Sequence, residues 1–342
     1  MSEAYCHTVV KEIEQRLTAT PSHTPLETVF YGGGTPGYLD PVELNLIHEK
    51  LRQTPGIAAN AEVTLETTPM TLSEEKVQQW LTIGINRVSM GIESLQDSEL
   101  KSIGRDHDSA TAIAGVQRAR RAGIKNLALD LIFGLPGQTV ASWQDTLDKL
   151  LALEPEHLSA YGLNITGSLK LHFPPNSSAY PDDDTFAAMY DILIDTCKEA
   201  GLEQYEISNF CRPGYQSRHN LCYWTNNEYL AFGVGAHRYV DGVRSANLRS
   251  FNRYMRDCSV DESSEPIDQE RKVADAIMLG LRLCCGLNLS QFKQTYQVDL
   301  MSRIADKLPL LVDNNLAELN NGVLKLTRKG ILISNTILAE LI

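Results

Sequence analysis

From the amino terminus to near Ile207, short apolar runs of strand length alternate with segments whose apolar positions recur at helical spacing. Strands are expected near Val29–Tyr31, Ala61–Glu66, Arg87–Gly91, Leu127–Phe133, Leu158–Leu163 and Gln204–Ile207. Between them, Asp40 and Pro41 read as an N-cap and first-turn proline for a helix through Leu51. Thr71-Leu72-Ser73-Glu74 with Glu75 marks the next helix start, and Ser109 to Ala122 forms a helix closed by Gly123. Strands and helices repeated in this order specify a parallel α/β sheet with covering helices. The series implies a curled or barrel-like sheet, and an open sheet fits the same pattern.

The pattern changes toward the carboxy terminus. Asp257 to Pro266, rich in Asp, Glu and Ser, reads as a linker, which divides the chain into residues 1–256, a linker at 257–266, and a small module at 267–342. In that module Val273, Ala274, Ile277, Met278 and Leu281 share one helical face, and Leu308 to Leu311 belong to a further helix. Asn320-Asn321-Gly322 is a turn between short apolar segments, expected as a hairpin followed by a helix from Gly330 to Ile342. Helices with a small hairpin suggest a winged-helix-like α+β domain.

Composition narrows the partners. With 342 residues, 43% hydrophobic and 22% charged, the chain can build one large and one small domain. A net charge of −12 argues against a nucleic-acid-coating surface, which draws on clustered Lys and Arg. The absence of a long apolar run and the charges Glu3, Lys11, Glu12, Glu14 and Arg16 in the opening segment predict a cytoplasmic protein without a transmembrane helix. Cysteines 6, 197, 211, 222, 258, 284 and 285 lack the even spacing of a disulfide scaffold and include no C-x-x-C pair, so most read as small buried hydrophobes.

In parallel α/β sheets ligands bind beyond the carboxyl ends of the strands, which selects candidates directly. Gly32-Gly33-Gly34-Thr35-Pro36 follows the first strand, and three consecutive glycines let a small charged ligand approach the main chain. Glu66 ends the next strand, Glu93 and Ser94 follow the third, and Asp130 lies inside the apolar fourth. A carboxylate among apolar neighbours is costly unless paired or hydrogen-bonded, so Asp130 either binds a ligand or pairs locally. Arg105 could clamp a carboxylate bidentately or simply be a solvated surface arginine, and His107 could assist the cap of the helix after it. Farther along, His219 and Cys222 are candidate iron ligands, and Tyr223 with Trp224 offers flat apolar surface for a porphyrin. The plain alternative is a core histidine beside packed aromatics.

Taken together, Tyr31–Pro36, Val88–Ser94, Ile103–His107 and Leu129–Gln138 resemble, in order and spacing, the radical S-adenosylmethionine (SAM) proteins of the oxygen-independent coproporphyrinogen III oxidase group. His219-Asn220-Leu221-Cys222-Tyr223-Trp224 is similar to the H-N-x-x-Y-W signature of the HemW-like heme chaperones within it. The resemblance spans nearly the whole chain. It implies a partial (β/α)6 barrel with a HemN-type carboxy-terminal domain, and SAM contacts at Gly32, Gly33, Gly34, Thr35, Glu66, Glu93, Arg105 and Asp130. It further implies a heme motif at His219, Asn220, Tyr223 and Trp224, with His219 as the heme-iron ligand. The implied function is binding heme for transfer to heme-accepting proteins; a coproporphyrinogen-oxidising radical enzyme of porphyrin biosynthesis is the alternative, and an inactive fragment a third.

The chain departs from that family at Glu93, where glutamine is usual: glutamine donates and accepts, whereas ionised glutamate only accepts and repels an anionic ligand carboxylate. It also lacks the C-x-x-x-C-x-x-C segment whose thiolates hold the family's [4Fe–4S] cluster, Cys6 being the first cysteine and Cys197 the next. A shortened product, or translation begun at a downstream methionine, is therefore expected, with the first barrel strand missing and no catalysis of radical chemistry by this chain alone. Its unpaired strand edge would invite aggregation or a dimer. Iron and sulfide analysis after anaerobic reconstitution checks this: the expected outcome is no cluster, and about three to four irons per chain would overturn it.

Overall fold

The computed structural model describes residues 2–18, 24–164, 173–174 and 177–342. Two compact units are present: Thr28–Pro41 with Asn60–Gln216, and Met1–Glu27 with Val42–Ala59 and Ser217–Ile342. Among the described residues no helix is long and apolar enough to cross a membrane.

The first unit is organised by a seven-stranded sheet containing β1 (Leu26–Tyr31), β2 (Ile57–Thr67), β3 (Arg87–Glu93), β4 (Asn126–Phe133), β5 (His157–Gly162), β6 (Glu203–Gln204) and β7 (Asn209–Cys211). Their order is β1-β2-β3-β4-β5-β7-β6, a linear arrangement with two ends rather than a closed barrel. Strands β2 to β5 pair in parallel. The sixth strand expected at 204–207 is different: Glu203–Gln204 pairs antiparallel with Asn209–Cys211, which pairs antiparallel with β5. A tight return at 205–208, too short for a crossover helix, can join only antiparallel strands.

Register explains where the core lies. Side chains of a strand alternate between faces, so Val63 and Leu65, Val88 and Met90, Leu127, Leu129, Leu131 and Phe133, and Leu158 and Ala160 share one face, and all are buried. Helices cover that face. Phe133 packs 5.7 Å from Trp143 on the helix Val140–Leu151 and 4.6 Å from Phe186 on the helix Asp183–Glu199, centroid to centroid, and the Trp143 indole donates to Met189 O at 2.9 Å. The intervening positions form the opposite face, which is mostly polar: Thr64, Glu66, Arg87, Ser89, Asp130, His157 and Ser159, with Gly91, Ala128 and Ile132 among them.

Local signals set the helix ends. Ser73 caps the helix Glu74–Ile83 by accepting from Lys76 N, and Gly84 ends it at φ +115°. Asp108, rather than His107, caps the helix Ser109–Arg121 by accepting from Thr111 N at 2.8 Å. A carboxylate is the stronger acceptor for exposed first-turn N–H groups.

In the second unit, the amino-terminal helix Ser2–Thr18 carries Glu12, which is wholly buried. Glu12 accepts from Arg16 Nε at 2.8 Å, Gly233 N at 2.8 Å, Asn247 Nδ2 at 2.7 Å and Tyr254 Oη at 2.6 Å. These bonds offset the desolvation of its charge. Asp261 joins Arg16 and Arg238 to the same network. The stretch expected as a linker at 257–266 contains the strand Asp261–Pro266, which pairs antiparallel with Val243–Asn247; its acidic residues lie on a sheet rather than a free connection.

The carboxy-terminal core gathers Val273, Ile277, Leu281, Phe292, Leu311, Leu324 and Ile337. Strands Ala317–Asn320 and Val323–Leu326 meet through Asn321 at φ +51° and Gly322 at φ +74°, the left-handed pair of a two-residue hairpin turn. The single helix expected over 330–342 is broken into Arg328–Leu332 and Ser334–Leu341 at Ile333.

Replacing Glu12 by Ala strands several donors around a buried cavity and is expected to destabilise the chain by about 3 kcal/mol. Glu14→Ala, at an exposed ion pair with Lys50, should change stability by less than about 0.5 kcal/mol. Denaturant unfolding of both variants checks this; equal losses would contradict the role of the buried network.

Candidate functional site

The polar face of the sheet meets the loops after β1, β2, β3 and β4 at the strands' carboxyl ends. Gly33 and Gly34 have φ +81° and +89°, and a Cβ at either would meet nothing within 4 Å. Backbone conformation, not crowding, therefore demands glycine, and the main chain is open on that side. Gly33 N donates to Glu66 Oε2 at 3.1 Å, tying the loop to the end of β2. Gly32 is tighter: a Cβ there would lie 3.0 Å from the same Glu66 oxygen. Thr35 precedes the 3-10 turn Pro36–Tyr38 with no side-chain capping bond, its carbonyl accepting from Tyr38 N at 3.0 Å.

Asp130 is positioned by its neighbours in register. Ser89 Oγ donates to it at 3.0 Å, and Ser159, opposite it on β5, bonds it as well. Burial nevertheless holds its carboxyl above the usual range, against the pull of these hydroxyls and of the Arg87 charge. Glu66 is likewise raised, chiefly by burial and then by Asp130, while the Gly33 N–H and Arg87 oppose the shift. Arg87 is 2% exposed and supplies the positive charge common to both. Lower on the same face, burial and then Arg87 hold His157 neutral, well below the ordinary histidine range.

Glu93 sits where β3 departs from regular pairing. Gly91 is opposite Asp130 and Glu93 is opposite Leu131, so Ile92 is an extra residue, a β-bulge, and Glu93 itself has φ +64°. Buried His107 holds the bulge, its Nε2 lying 3.2 Å from Ile92 O. The re-aimed Glu93 carboxylate forms an ion pair with Arg105. Burial, with Asp130 adding to it and Arg105 opposing, pushes Glu93 up to about 7.

Sequence reasoning missed the scaffold beneath this rim. Glu99 is 4% exposed and accepts from Ser94 Oγ at 2.6 Å, Gln138 Nε2 at 3.0 Å and Ser142 Oγ at 2.6 Å. Gln138 Oε1 in turn accepts from Gly134 N at 2.7 Å, so a single carboxylate fixes the loops after β3 and β4. No sequence signal marks Glu99, but the polar face above it shows as period two: Ser89 on β3, and Ser159 and Tyr161 on β5, alternate with buried apolar residues.

The structure thus brings Gly32–Gly34, Glu66, Glu93, Arg105 and Asp130 together within one unit. The residues suit a ligand bearing an ammonium group or hydroxyls, which Glu66 and Asp130 can accept, and a carboxylate, for which Arg105 is the donor once released from Glu93.

His219, Asn220, Tyr223 and Trp224 lie in the other unit, on the short helix Arg218–Trp224 capped by Ser217, whose Oγ accepts from Asn220 N at 3.3 Å. The i,i+4 spacing sets His219 Nε2 2.8 Å from Tyr223 Oη, and Tyr223 stands edge-on to Tyr229 at 4.7 Å between centroids. Trp224 Nε1 is buried with no acceptor, while the Arg282 guanidinium lies 6.0 Å from the indole centroid. A buried indole N–H without a partner is costly and suits a polar group of a bound molecule. Among the described residues no group of His, Cys, Asp and Glu side chains is arranged to hold a metal ion. Cys6 is fully buried, and burial, with Glu43 adding to it, pushes its thiol up to about 11. These residues do not fit a [4Fe–4S] cluster, which needs three thiolates close together.

Residues 7–150 match the radical SAM superfamily and residues 267–333 match the HemN C-terminal domain. A heme chaperone HemW of Bacillus subtilis (strain 168) is 32% identical over 343 residues, covering 95% of this chain and 88% of that protein. A heme chaperone HemW of Synechocystis sp. is 35% identical, covering 80% and 69%. Among solved structures, the radical SAM coproporphyrinogen III oxidase HemN of Escherichia coli superposes with a TM-score of 0.86 at 20% identity, covering 99% of this chain and 83% of that one. That likeness establishes the fold.

Glu93 gives the site a pH signature. Its pKa is raised on folding, so between the unfolded value near 4.5 and about 7 the folded state binds the extra proton. The sign follows: stability falls as pH rises through that window, by about 3 kcal/mol at most from this group. Glu93→Gln, which cannot ionise, is expected to flatten the decline, read as melting temperature at pH 5 and pH 8. Parallel curves for the two proteins would contradict the buried-acid account.

Proposed function

The chain belongs to the HemW family of radical SAM proteins, and on that premise we propose that it binds heme and passes it to heme-accepting proteins, with SAM as the ligand of the glycine-rich strand-end site. The buried, unpartnered Trp224 N–H beside the His219–Tyr223 pair carries the heme reading. Tyr223 and Trp224 supply flat apolar surface for a porphyrin, and Arg282 over the indole places a cation near it for a propionate. His219 would hold the iron by exchanging its bond to Tyr223 for a coordinate bond.

SAM supplies an electrophilic sulfonium carrying an amino acid and a nucleoside. This chain's residues would bind and orient it: Glu66 and Asp130 accept from its ammonium and hydroxyl groups, and the open backbone at Gly33 and Gly34 admits it without steric clash. The formal net charge of −12 favours heme and protein partners over nucleic acid.

Heme titration of the intact chain tests the first part. His219→Ala is expected to lower affinity about tenfold or more and to shift the Soret band; unchanged affinity and band would remove His219 as a ligand. For the second part, Asp130→Ala should weaken SAM binding by about tenfold in calorimetry, and binding indifferent to that change would place the nucleoside elsewhere.

A further inference from the structure

Arg105 is well suited to receive the carboxylate of an amino-acid ligand at this site, yet it is already engaged. Its guanidinium pairs with Glu93, a residue of the same unit, and not with solvent alone: the Arg105 side chain is 38% exposed and that of Glu93 10%. Several independent features deliver Glu93 to that position. The bulge at Ile92 re-aims it, its backbone is held at φ +64°, and Gly91 leaves room for it, since a Cβ on Gly91 would lie 2.8 Å from Glu93 Oε1. A non-glycine residue in the left-handed region is strained and persists only where surrounding structure enforces it. His107, bonded to Ile92 O, is part of that enforcement.

We propose that Glu93 is an internal stand-in for a ligand carboxylate: it latches Arg105 in the free protein and must be displaced before an α-carboxylate can bind there, which makes it a determinant of ligand affinity and selectivity. The inference rests on the SAM reading of the site and deepens it. A ligand carboxylate arriving at Arg105 would meet the ionised Glu93 beside it, and like charges at close range repel. Asp130 faces Glu93 from β4 and adds negative charge; Arg105 faces it from the loop before the helix Ser109–Arg121; Glu66 lies beyond Asp130, balanced by Gly33 N–H and Arg87. With Glu93 raised to about 7, the latch is near its switching point at neutral pH, so its release by proton uptake costs little.

Binding of SAM and of 5′-methylthioadenosine, the same nucleoside without the amino-acid group, separates the latch from the site. Calorimetry at pH 8, where an acid of pKa about 7 is ionised nine-tenths of the time, on the intact wild-type chain and on Glu93→Gln is expected to show SAM affinity rising about tenfold in the variant, as when a competing state of that population is removed. Methylthioadenosine affinity should not change. Glu93→Ser, equally unable to ionise, should reproduce the gain, and so guards against a folding defect in one variant; adding Arg105→Ala to either should abolish it. If SAM and methylthioadenosine bind but the Glu93 variants leave SAM affinity unchanged or weaker, the latch is wrong and the SAM reading stands. If neither compound binds any of the proteins, the SAM reading fails and the latch with it.

Discussion

A parallel strand whose one face is sealed by helices must still place every second residue on the other face, and that constraint governs this molecule. Leu127, Leu129, Leu131 and Phe133 take the sealed side of β4, so Asp130 has no alternative to the open side, where Ser89 and Ser159 come into register with it. The same rule delivers Glu66 from β2 and Arg87 and Ser89 from β3. Concentrating carboxylates on one polar face raises their pKa values through burial and mutual repulsion; Arg87 beneath and Arg105 at the rim supply the opposing charge. The sheet's hydrophobic face thus determines the electrostatics of its polar one.

Holding such a site open requires that its loops not relax onto it. The Glu99 network does this for the ends of β3 and β4, because Ser94, Gln138 and Ser142 converge on one buried carboxylate. The three donors come from the loop after β3, the loop after β4 and the first turn of the helix Val140–Leu151, so one carboxylate couples all three. The second unit uses the same device: Glu12 gathers donors from Arg16, Gly233, Asn247 and Tyr254. In both units a glutamate on a helix, hidden from solvent, ties together segments far apart in the chain.

These two glutamates show where sequence reading stops. On a helix a glutamate ordinarily marks the solvated face, and neither Glu12 nor Glu99 stands out from its charged neighbours; only the packing of distant segments buries them. Arg87 is similar, a charge at a strand start that reads as exposed. By contrast, β1 to β5 were legible because runs such as Leu127–Phe133 have few alternatives, and Gly32–Gly34, Glu66, Glu93 and Asp130 were legible because strand ends are where α/β folds bind ligands. The β6–β7 hairpin was not, since Tyr205–Ser208 carries no glycine or proline to announce a turn. The bulge at Ile92 was equally silent: it depends on His107, a residue fifteen positions away.

The bulge also changes what the carboxylate cluster means. A regular β3 would leave Glu93 as one more strand-end acid, raising its neighbours' pKa values and leaving Arg105 to solvent. Shifted by one residue, the same glutamate closes an ion pair that neutralises part of the cluster and removes from the rim the cation that an anionic group would seek. An ion pair with one partner buried and the other open to solvent is sensitive to its surroundings, because desolvation of the buried acid offsets much of what the attraction returns. The consequence is a rim whose positive charge is set less by how many donors it has than by how tightly one of its own acids engages them.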